Sequence, residues 1–298
     1  MLEAVEKKMR ELIGSLEDAE IDALYAALPK GKRLRAKLVL KVAGTDEEAV
    51  KLAAVIEMIH AASLLHDDVI DEATTRRGVP SMNATEGSKQ AIMMGDILYS
   101  KGFEELTTFD RKIAAKIASA VTQLSIGELK DVRMSRRFNP DADAYFAMIY
   151  QKTAALIEAT AATAAILAGR DDKIFGRYGR NLGVAFQIVD DILDITQSSE
   201  KLGKPAMHDF VEGKTTLPYI YLYEALDERG RERLVSLHGK VLDEKEREWI
   251  VAAMESTGAL RKAWLYAKEL GDEAVALMEG EGESSLAQIV TAMIEREY

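Results

Sequence analysis

The sequence predicts an all-α protein folded as one domain, on three observations. Only five prolines occur in 298 residues (Pro29, Pro80, Pro140, Pro205 and Pro218), each in or beside a turn-like cluster; the long stretches between them lack this helix breaker. Ala, Leu, Glu, Lys, Met and Arg, the good helix formers, dominate those stretches. Alternating β-branched runs bounded by hairpin signals are absent. Hydrophobic residues make up 48% and charged residues 30%, enough apolar material for a core and too much for a disordered chain.

The elements follow in order. The opening MLEAVEKKMRELIGSLEDAE alternates charges from the start and lacks the apolar stretch of a signal peptide. Thr45-Asp46-Glu47-Glu48 fits a capping box with Thr45 as the cap. From there Val50, Ala53, Ala54, Ile56, Ile59, Ser63 and Leu64 recur at helical spacing. A helix running on to Ile70 would hold about 25 residues and span ~37 Å. Asn139-Pro140-Asp141 marks a boundary, with one helix expected from Asp141 to Ala168 and another from Lys173 to Ile195. The least polar stretch, Thr153 to Gly169, carries Glu158 and small side chains. It reads as a buried helix whose neighbours approach closely, not as a membrane span. The C-terminal third, Asp227 to Tyr298, reads as amphipathic helices with Gly230, Gly239, Gly258 and Gly271 near joints, and with Trp249 and Trp264 in the core. No composition break marks a linker, so residues 1–298 are expected to form a single domain, in the cytoplasm.

Composition narrows the chemistry. There are no cysteines, which excludes disulfides, thiolate metal sites and a Cys nucleophile. A net charge of −11 argues against nucleic acid, which needs a basic face.

One pattern repeats. His66-Asp67-Asp68-Val69-Ile70-Asp71 returns as Val189-Asp190-Asp191-Ile192-Leu193-Asp194, both D-D-x-x-D. On a helix the first and last Asp of each lie one turn apart on one face. The preceding residues, Ala61 to Leu65 and Gly183 to Ile188, are largely apolar, and carboxylates in that setting need cations or hydrogen bonds. Both motifs end apolar helical stretches, where the helix dipole opposes negative charge. A bound cation removes the conflict. Oxygen ligands without Cys favour Mg²⁺ over zinc, and Mg²⁺ normally bridges a few carboxylates to substrate phosphate. Two such motifs suggest a diphosphate held between helices.

Cationic segments accompany them. Lys30-Gly31-Lys32-Arg33-Leu34-Arg35 is a compact basic loop. Thr74-Thr75-Arg76-Arg77-Gly78 trails the first Asp motif; Lys201-Leu202-Gly203-Lys204-Pro205 and Glu212-Gly213-Lys214-Thr215-Thr216 trail the second. Arg offers forked contacts to phosphate and Lys a point charge, so these loops are suited to a second diphosphate bound without metal.

GKRLR, LLHDDVIDEATTRRG, GDILYS, QKTA, FQIVDDILD and GKPAMHDFVEGKTTLP, in this order over residues 31 to 218, resemble the motifs of the trans-isoprenyl diphosphate synthases, or polyprenyl synthetases. The resemblance implies an all-α isoprenoid synthase bundle around a deep central cavity, usually a homodimer, which condenses isopentenyl diphosphate with an allylic diphosphate. It implies Mg²⁺, three ions per active site, with Asp67 and Asp71 as ligands on one side, supported by Asp68. Asp190 is the ligand on the other side, with Asp191 and Asp194 completing that motif. Lys32, Arg35, His60 and Arg77 would hold isopentenyl diphosphate. Arg76, Lys152, Thr153, Gln187, Lys204 and Lys214 would hold the allylic diphosphate, with Thr153 and Gln187 shielding the carbocation. Lys30 stands where the family often has a second Gly, and Ala36 where Pro often follows; neither removes a phosphate ligand.

Product length should depend on the helix preceding Asp67. Short-chain members often carry an aromatic four or five positions before that Asp; here Ser63 and Ala62 stand there, with Ile59, Met58 and Val55 deeper. The expected product is therefore long, about six to eight isoprene units, with a geranylgeranyl or farnesyl product as the alternative. Leu124 and Phe103 are alternative floors on other helices. The product's lipid character makes peripheral membrane contact an expectation too. A terpene cyclase is disfavoured by the plain DDILD, and a non-catalytic partner subunit by two intact Asp motifs. A di-iron bundle is disfavoured because only Glu57-Met58-Ile59-His60 reads E-x-x-H.

Overall fold

The computed structural model describes residues 1–197 and 207–295; Lys204 and the rest of its loop lie outside them. The described chain is helical apart from one two-stranded hairpin. It falls into two compact units, one of residues 1–121 and 159–176, the other of residues 122–158 and 177–298.

In the first unit, α1 (Leu2–Gly14) buries Val5, Met9 and Ile13, a spacing of four that makes a single apolar stripe. After α2 (Ala19–Ala26) and α3 (Leu34–Ala43) comes α4 (Glu47–Ile70), against which α1, α3 and α6 (Ser88–Leu106) pack. Leu52, Ala53, Ala54, Val55, Ile56, Met58, Ile59 and Ala62 are all fully buried, so α4 is apolar all round and forms the centre of this unit. Each large side chain buried this way contributes about 1.5–3 kcal/mol. By length and composition α4, not Thr153 to Gly169, is the helix that could cross a membrane, yet 72% of the relevant window is buried in protein. The cap is Asp46, whose carboxylate accepts the Ala49 N–H at 2.8 Å. That corrects the Thr45 box by one residue: the carboxylate at Asp46 is the side chain that reaches the third helical N–H.

Two glycines let α6 approach α4. A Cβ on Gly95 would lie 2.4 Å from His66 Nε2, and one on Gly102 3.0 Å from Ile59 Cγ1. His66 is a structural residue, in hydrogen-bond contact with the Ile92 carbonyl at 3.2 Å. Between α4 and α6, β1 (Thr75–Arg76) and β2 (Val79–Pro80) form a hairpin, and α5 (Met82–Thr85) follows. Arg77 and Gly78 turn the hairpin with φ of 56° and 77°, the left-handed pair that a tight hairpin requires.

α7 (Arg111–Met134), α9 (Ala155–Leu167) and α10 (Asp172–Thr196) have residues in both units. The expected helix from Asp141 begins there, with Asp141 as its cap, but it is interrupted. α8 (Ala142–Ile149) leads into one π-helical turn, Tyr150–Ala154, before α9 resumes. Such turns insert one residue and often occur at functional positions. Within α9 the small residues are buried as expected, and Thr163 donates to the Ala159 carbonyl at 2.7 Å.

In the second unit, helix Leu217–Ala225 packs against helices Ala259–Gly280 and Glu244–Thr257, the latter carrying an Asp243–Glu246 capping box. Gly258, at φ 70°, is a joint as read. Gly230 is near a joint as read, whereas Gly271 is not. Gly230 lies in the first turn of helix Glu228–Leu237, where its N–H is capped by Asp227. Gly271 lies within Ala259–Gly280, where a Cβ would come 2.9 Å from Ile294 Cγ1. Trp249 and Trp264 are half-buried rather than core; the Arg233 guanidinium lies 4.2 Å over the Trp249 ring.

Candidate active site

The first unit gathers a cationic corner. The basic loop enters α3 through Arg33, held in the left-handed region at φ 54°. Arg33 is pinned by Glu6 at 2.5 Å and by Glu57 at 3.4 Å. Glu57, buried on α4, also accepts the Ala36 N–H at 2.9 Å. A proline at 36 would have no such hydrogen to give, so Ala36 adds a contact here. Glu57 is committed to this loop and His60 faces arginines, surroundings that disfavour a metal at the E-x-x-H pair.

Arg77 meets the same loop. Its Nη1 donates to the Pro29 carbonyl at 3.2 Å and lies 2.9 Å from where a Gly31 Cβ would be, so a larger residue at 31 would make the guanidinium shift. Burial, with Arg35, Arg77, Arg76 and Arg33 around it, holds His60 well below its ordinary value, which keeps the ring neutral. Burial brings Arg35 down to about 10, still cationic at neutral pH. Arg35 Nε and His60 Nδ1 are buried without a hydrogen-bond partner among the described residues. Buried polar atoms left unmatched beside several cations fit a polyanion. Lys32 is exposed at the mouth of the loop.

Glu57→Ala is expected to destabilise the fold by about 2–4 kcal/mol, since it strips the counter-charge from a cationic corner. Thermal denaturation checks this, and inorganic pyrophosphate should raise the variant's Tm more than the parent's. Equal shifts would mean that the corner does not bind the anion.

The first Asp motif closes α4. Asp67 is half-buried, Asp68 buried and Asp71, the C-cap, exposed. Asp68 is occupied: Arg76 Nε and Nη2 both reach its Oδ1 at 2.6 Å. Arg76 is thus tied to the motif's middle carboxylate rather than presented alone. Oxygen-only donors at a helix C-terminus, where the dipole opposes their charge, suit a hard divalent cation.

The second unit holds a cavity lined by Asp131, Tyr145, Lys152, Thr153, Gln187, Asp191, Asp209, Lys214 and Thr215, among others. Lys152 and Thr153 sit on the π turn. The neighbouring helices reach that turn through glycines: a Cβ on Gly127 would lie 2.3 Å from Lys152 N, and one on Gly183 2.6 Å from Ala154 Cα. Lys152 Nζ is held by Glu128 at 2.8 Å and Asp131 at 2.6 Å. Thr153 donates to Gln187 Oε1 at 2.8 Å, and Gln187 Nε2 donates to Asp191 Oδ1 at 2.9 Å. Burial, then the nearby Asp209 charge, pushes Asp191 well above the usual carboxylate range. Lys214 contacts Glu212 at 2.9 Å.

The predicted residues therefore separate. Lys152, Thr153, Gln187, Asp191 and Lys214 meet at one cavity; Arg35, His60 and Arg77 meet at the corner of the other unit. Asp190 is half-buried. Asp194 is buried, and its Oδ2 accepts the Asp209 N–H at 3.1 Å while its carbonyl accepts the Met207 N–H at 2.7 Å, so it ties the end of α10 to the returning chain. Among the chain-length residues, Met58, Ile59 and Ala62 are fully buried and Ser63 nearly so; Ile59 packs on Gly102. Glu57, Glu128, Asp131, Tyr145 and Asp209 were not singled out as site residues by sequence reasoning. Only the Glu128–Asp131 pair, one turn apart in GELKD, left a visible signal. No group of three or more His, Cys, Asp or Glu side chains forms a ready metal cage among the described residues.

A profile of the polyprenyl synthetase family matches residues 20–254. The chain is 35% identical to a short chain isoprenyl diphosphate synthase of Methanothermobacter thermautotrophicus, over 90% of this chain and 87% of that protein. It superposes on the octaprenyl pyrophosphate synthase of Helicobacter pylori with a TM-score of 0.94 at 40% identity, covering 99% and 98% of the two chains. It also superposes on a polyprenyl synthase from Caulobacter crescentus complexed with calcium and isoprenyl diphosphate, with a TM-score of 0.90 at 31% identity over 100% and 95%.

Proposed function

The chain belongs to the polyprenyl synthetase family and is a prenyltransferase, and on that premise we propose that it condenses isopentenyl diphosphate with an allylic diphosphate to make a long-chain trans-polyprenyl diphosphate. The observation that carries this reading is the cavity where Lys152, Thr153, Gln187, Asp191 and Lys214 converge. It supplies cations for a leaving diphosphate and oxygens for the carbon skeleton it leaves behind.

Asp67, Asp71 and Asp190 would hold Mg²⁺, with Asp194 completing its motif. The metal's part is to neutralise charge on the departing diphosphate and so favour ionisation of the allylic C–O bond. Lys152 and Lys214 would bind oxygens of that diphosphate and stabilise the charge it gains. The oxygens of Thr153 and Gln187 face the electron-poor carbon. Arg35, His60 and Arg77, with Lys32 at the mouth, would orient isopentenyl diphosphate so that its double bond attacks. The proton lost afterwards would pass to the released pyrophosphate, so no protein nucleophile is needed.

The long product is supported by the likeness to the octaprenyl synthase and by α4, which carries Ala62 and Ser63 rather than an aromatic before Asp67. The shorter alternative is favoured by the archaeal short-chain relative. Chromatography of products from labelled isopentenyl diphosphate and defined allylic primers decides between them. Products of six to eight units are expected; a geranylgeranyl end point would overturn the long-chain reading. Ala62→Phe should shorten the product, at a stability cost of about 1–3 kcal/mol because Ala62 is fully buried. Unchanged product length in that variant would move the floor to another helix.

We read the working form as a homodimer in the cytoplasm. Ile126, Leu129 and Val132 on α7 are exposed at a spacing of three, an apolar stripe suited to a second copy. Sedimentation of the purified chain tests this.

A further inference from the structure

Tyr145, on α8, is fully buried and lines the cavity of the second unit. Its hydroxyl hydrogen is directed to Asp191 Oδ2, at 2.5 Å. The other carboxylate oxygen, Oδ1, accepts from Gln187 Nε2 at 2.9 Å. The nitrogen end of the Gln187 amide therefore faces Asp191 and the oxygen end faces Thr153, 2.8 Å away. Thr153 then donates its one hydroxyl hydrogen to Gln187. What it offers the cavity is lone pairs.

We propose that Tyr145 is a positioning residue: with Asp191 it holds the Gln187 amide in the one orientation that leaves the Thr153 oxygen as an acceptor facing the cavity. The proposal rests on the prenyl-transfer reading above. Without the phenol hydroxyl, the carboxylate keeps only one of these two donors and no longer fixes the amide. A flipped amide would donate to Thr153 and turn the threonine hydrogen toward a carbon skeleton that becomes electron-poor in the transition state.

The test is steady-state kinetics of Tyr145→Phe in the full chain. The kcat should fall about tenfold, with KM for isopentenyl diphosphate and for the allylic diphosphate within about twofold of the parent. In a Thr153→Val background, which has already lost the oxygen, Tyr145→Phe should change kcat by less than about twofold, whereas a merely structural role would multiply the two losses. If Tyr145→Phe does not fold, Tyr145→Met, which likewise lacks the hydroxyl, takes its place in the same cycle with the same expectation. An active parent whose Tyr145→Phe variant keeps full kcat, or loses it again in the Thr153→Val background, overturns the proposal alone. A parent that does not condense the two diphosphates overturns the prenyl-transfer reading and the proposal with it.

Discussion

Asp67→Ala is expected to lower kcat by about 10³-fold or more while the Tm stays within a few degrees of the parent. The two effects separate because Asp67 is only half-buried, at a helix end, where a polar contact within the fold is worth about 1 kcal/mol or less, whereas its larger role is expected to be toward a metal-bound diphosphate. Asp67 stands in the last turn of α4 with Asp68 one residue on and Asp71 at the C-cap. Its negative charge there opposes both the helix dipole and its neighbours, a cost of about 0.3–1 kcal/mol. In the proposed reaction the same charge would help hold Mg²⁺ at the leaving group, and losing about 4 kcal/mol of transition-state stabilisation corresponds to a thousandfold in rate. Asp68→Ala should behave differently. It strands Arg76, whose Nε and Nη2 both rest on that carboxylate, so stability as well as rate should drop. Kinetics and thermal melting of both variants check the contrast. Full activity in Asp67→Ala would remove the motif from the chemistry.

The legible parts of the fold were those written in side-chain type at fixed spacing. Three carboxylates closing an apolar helix conflict with that helix, and the end of α4 at Ile70 lies where they predict it. The basic loop was legible for the same reason: a run of cations is visible in the sequence. Its support was not. Glu57 looked like half of an unrelated metal motif, because nothing local shows that a residue 21 positions from Ala36 accepts its N–H. Nothing local singles out Tyr145, since its partner Asp191 lies 46 positions away. The capping error at Thr45 was local competition between adjacent side chains, each able to accept an N–H three residues on. The glycines split by environment: Gly258 ends a helix because φ is positive there, whereas Gly271 is glycine because Ile294 fills the space a Cβ would take. Sequence pattern does not separate these two uses.

The π turn was the least legible feature and carries the second large prediction. Gly127→Ala is expected to destabilise the protein by about 3 kcal/mol or more and to cut kcat by about 10²-fold. The added Cβ would sit 2.3 Å from Lys152 N and 2.7 Å from Lys152 Cα. Those atoms are backbone, so no rotamer change relieves the overlap, and α7 and the turn must separate by about 1 Å, an overpacking at or beyond the usual 1–3 kcal/mol. The separation would also move the chemistry. Glu128 and Asp131, which hold Lys152 Nζ, follow Gly127 on the same helix, and Thr153 follows Lys152 on the turn. A displacement of that size at a positioned group is enough for a hundredfold loss. Gly14→Ala serves as the control, because a Cβ there meets nothing within 4 Å, and removing a helical glycine should leave stability equal or up to about 1 kcal/mol higher. Thermal melting together with kcat measures both. A Gly127→Ala variant as stable and active as the parent would mean that α7 and the turn carrying Lys152 and Thr153 do not meet as closely as the fold requires, and that the geometry assigned to those two residues is wrong.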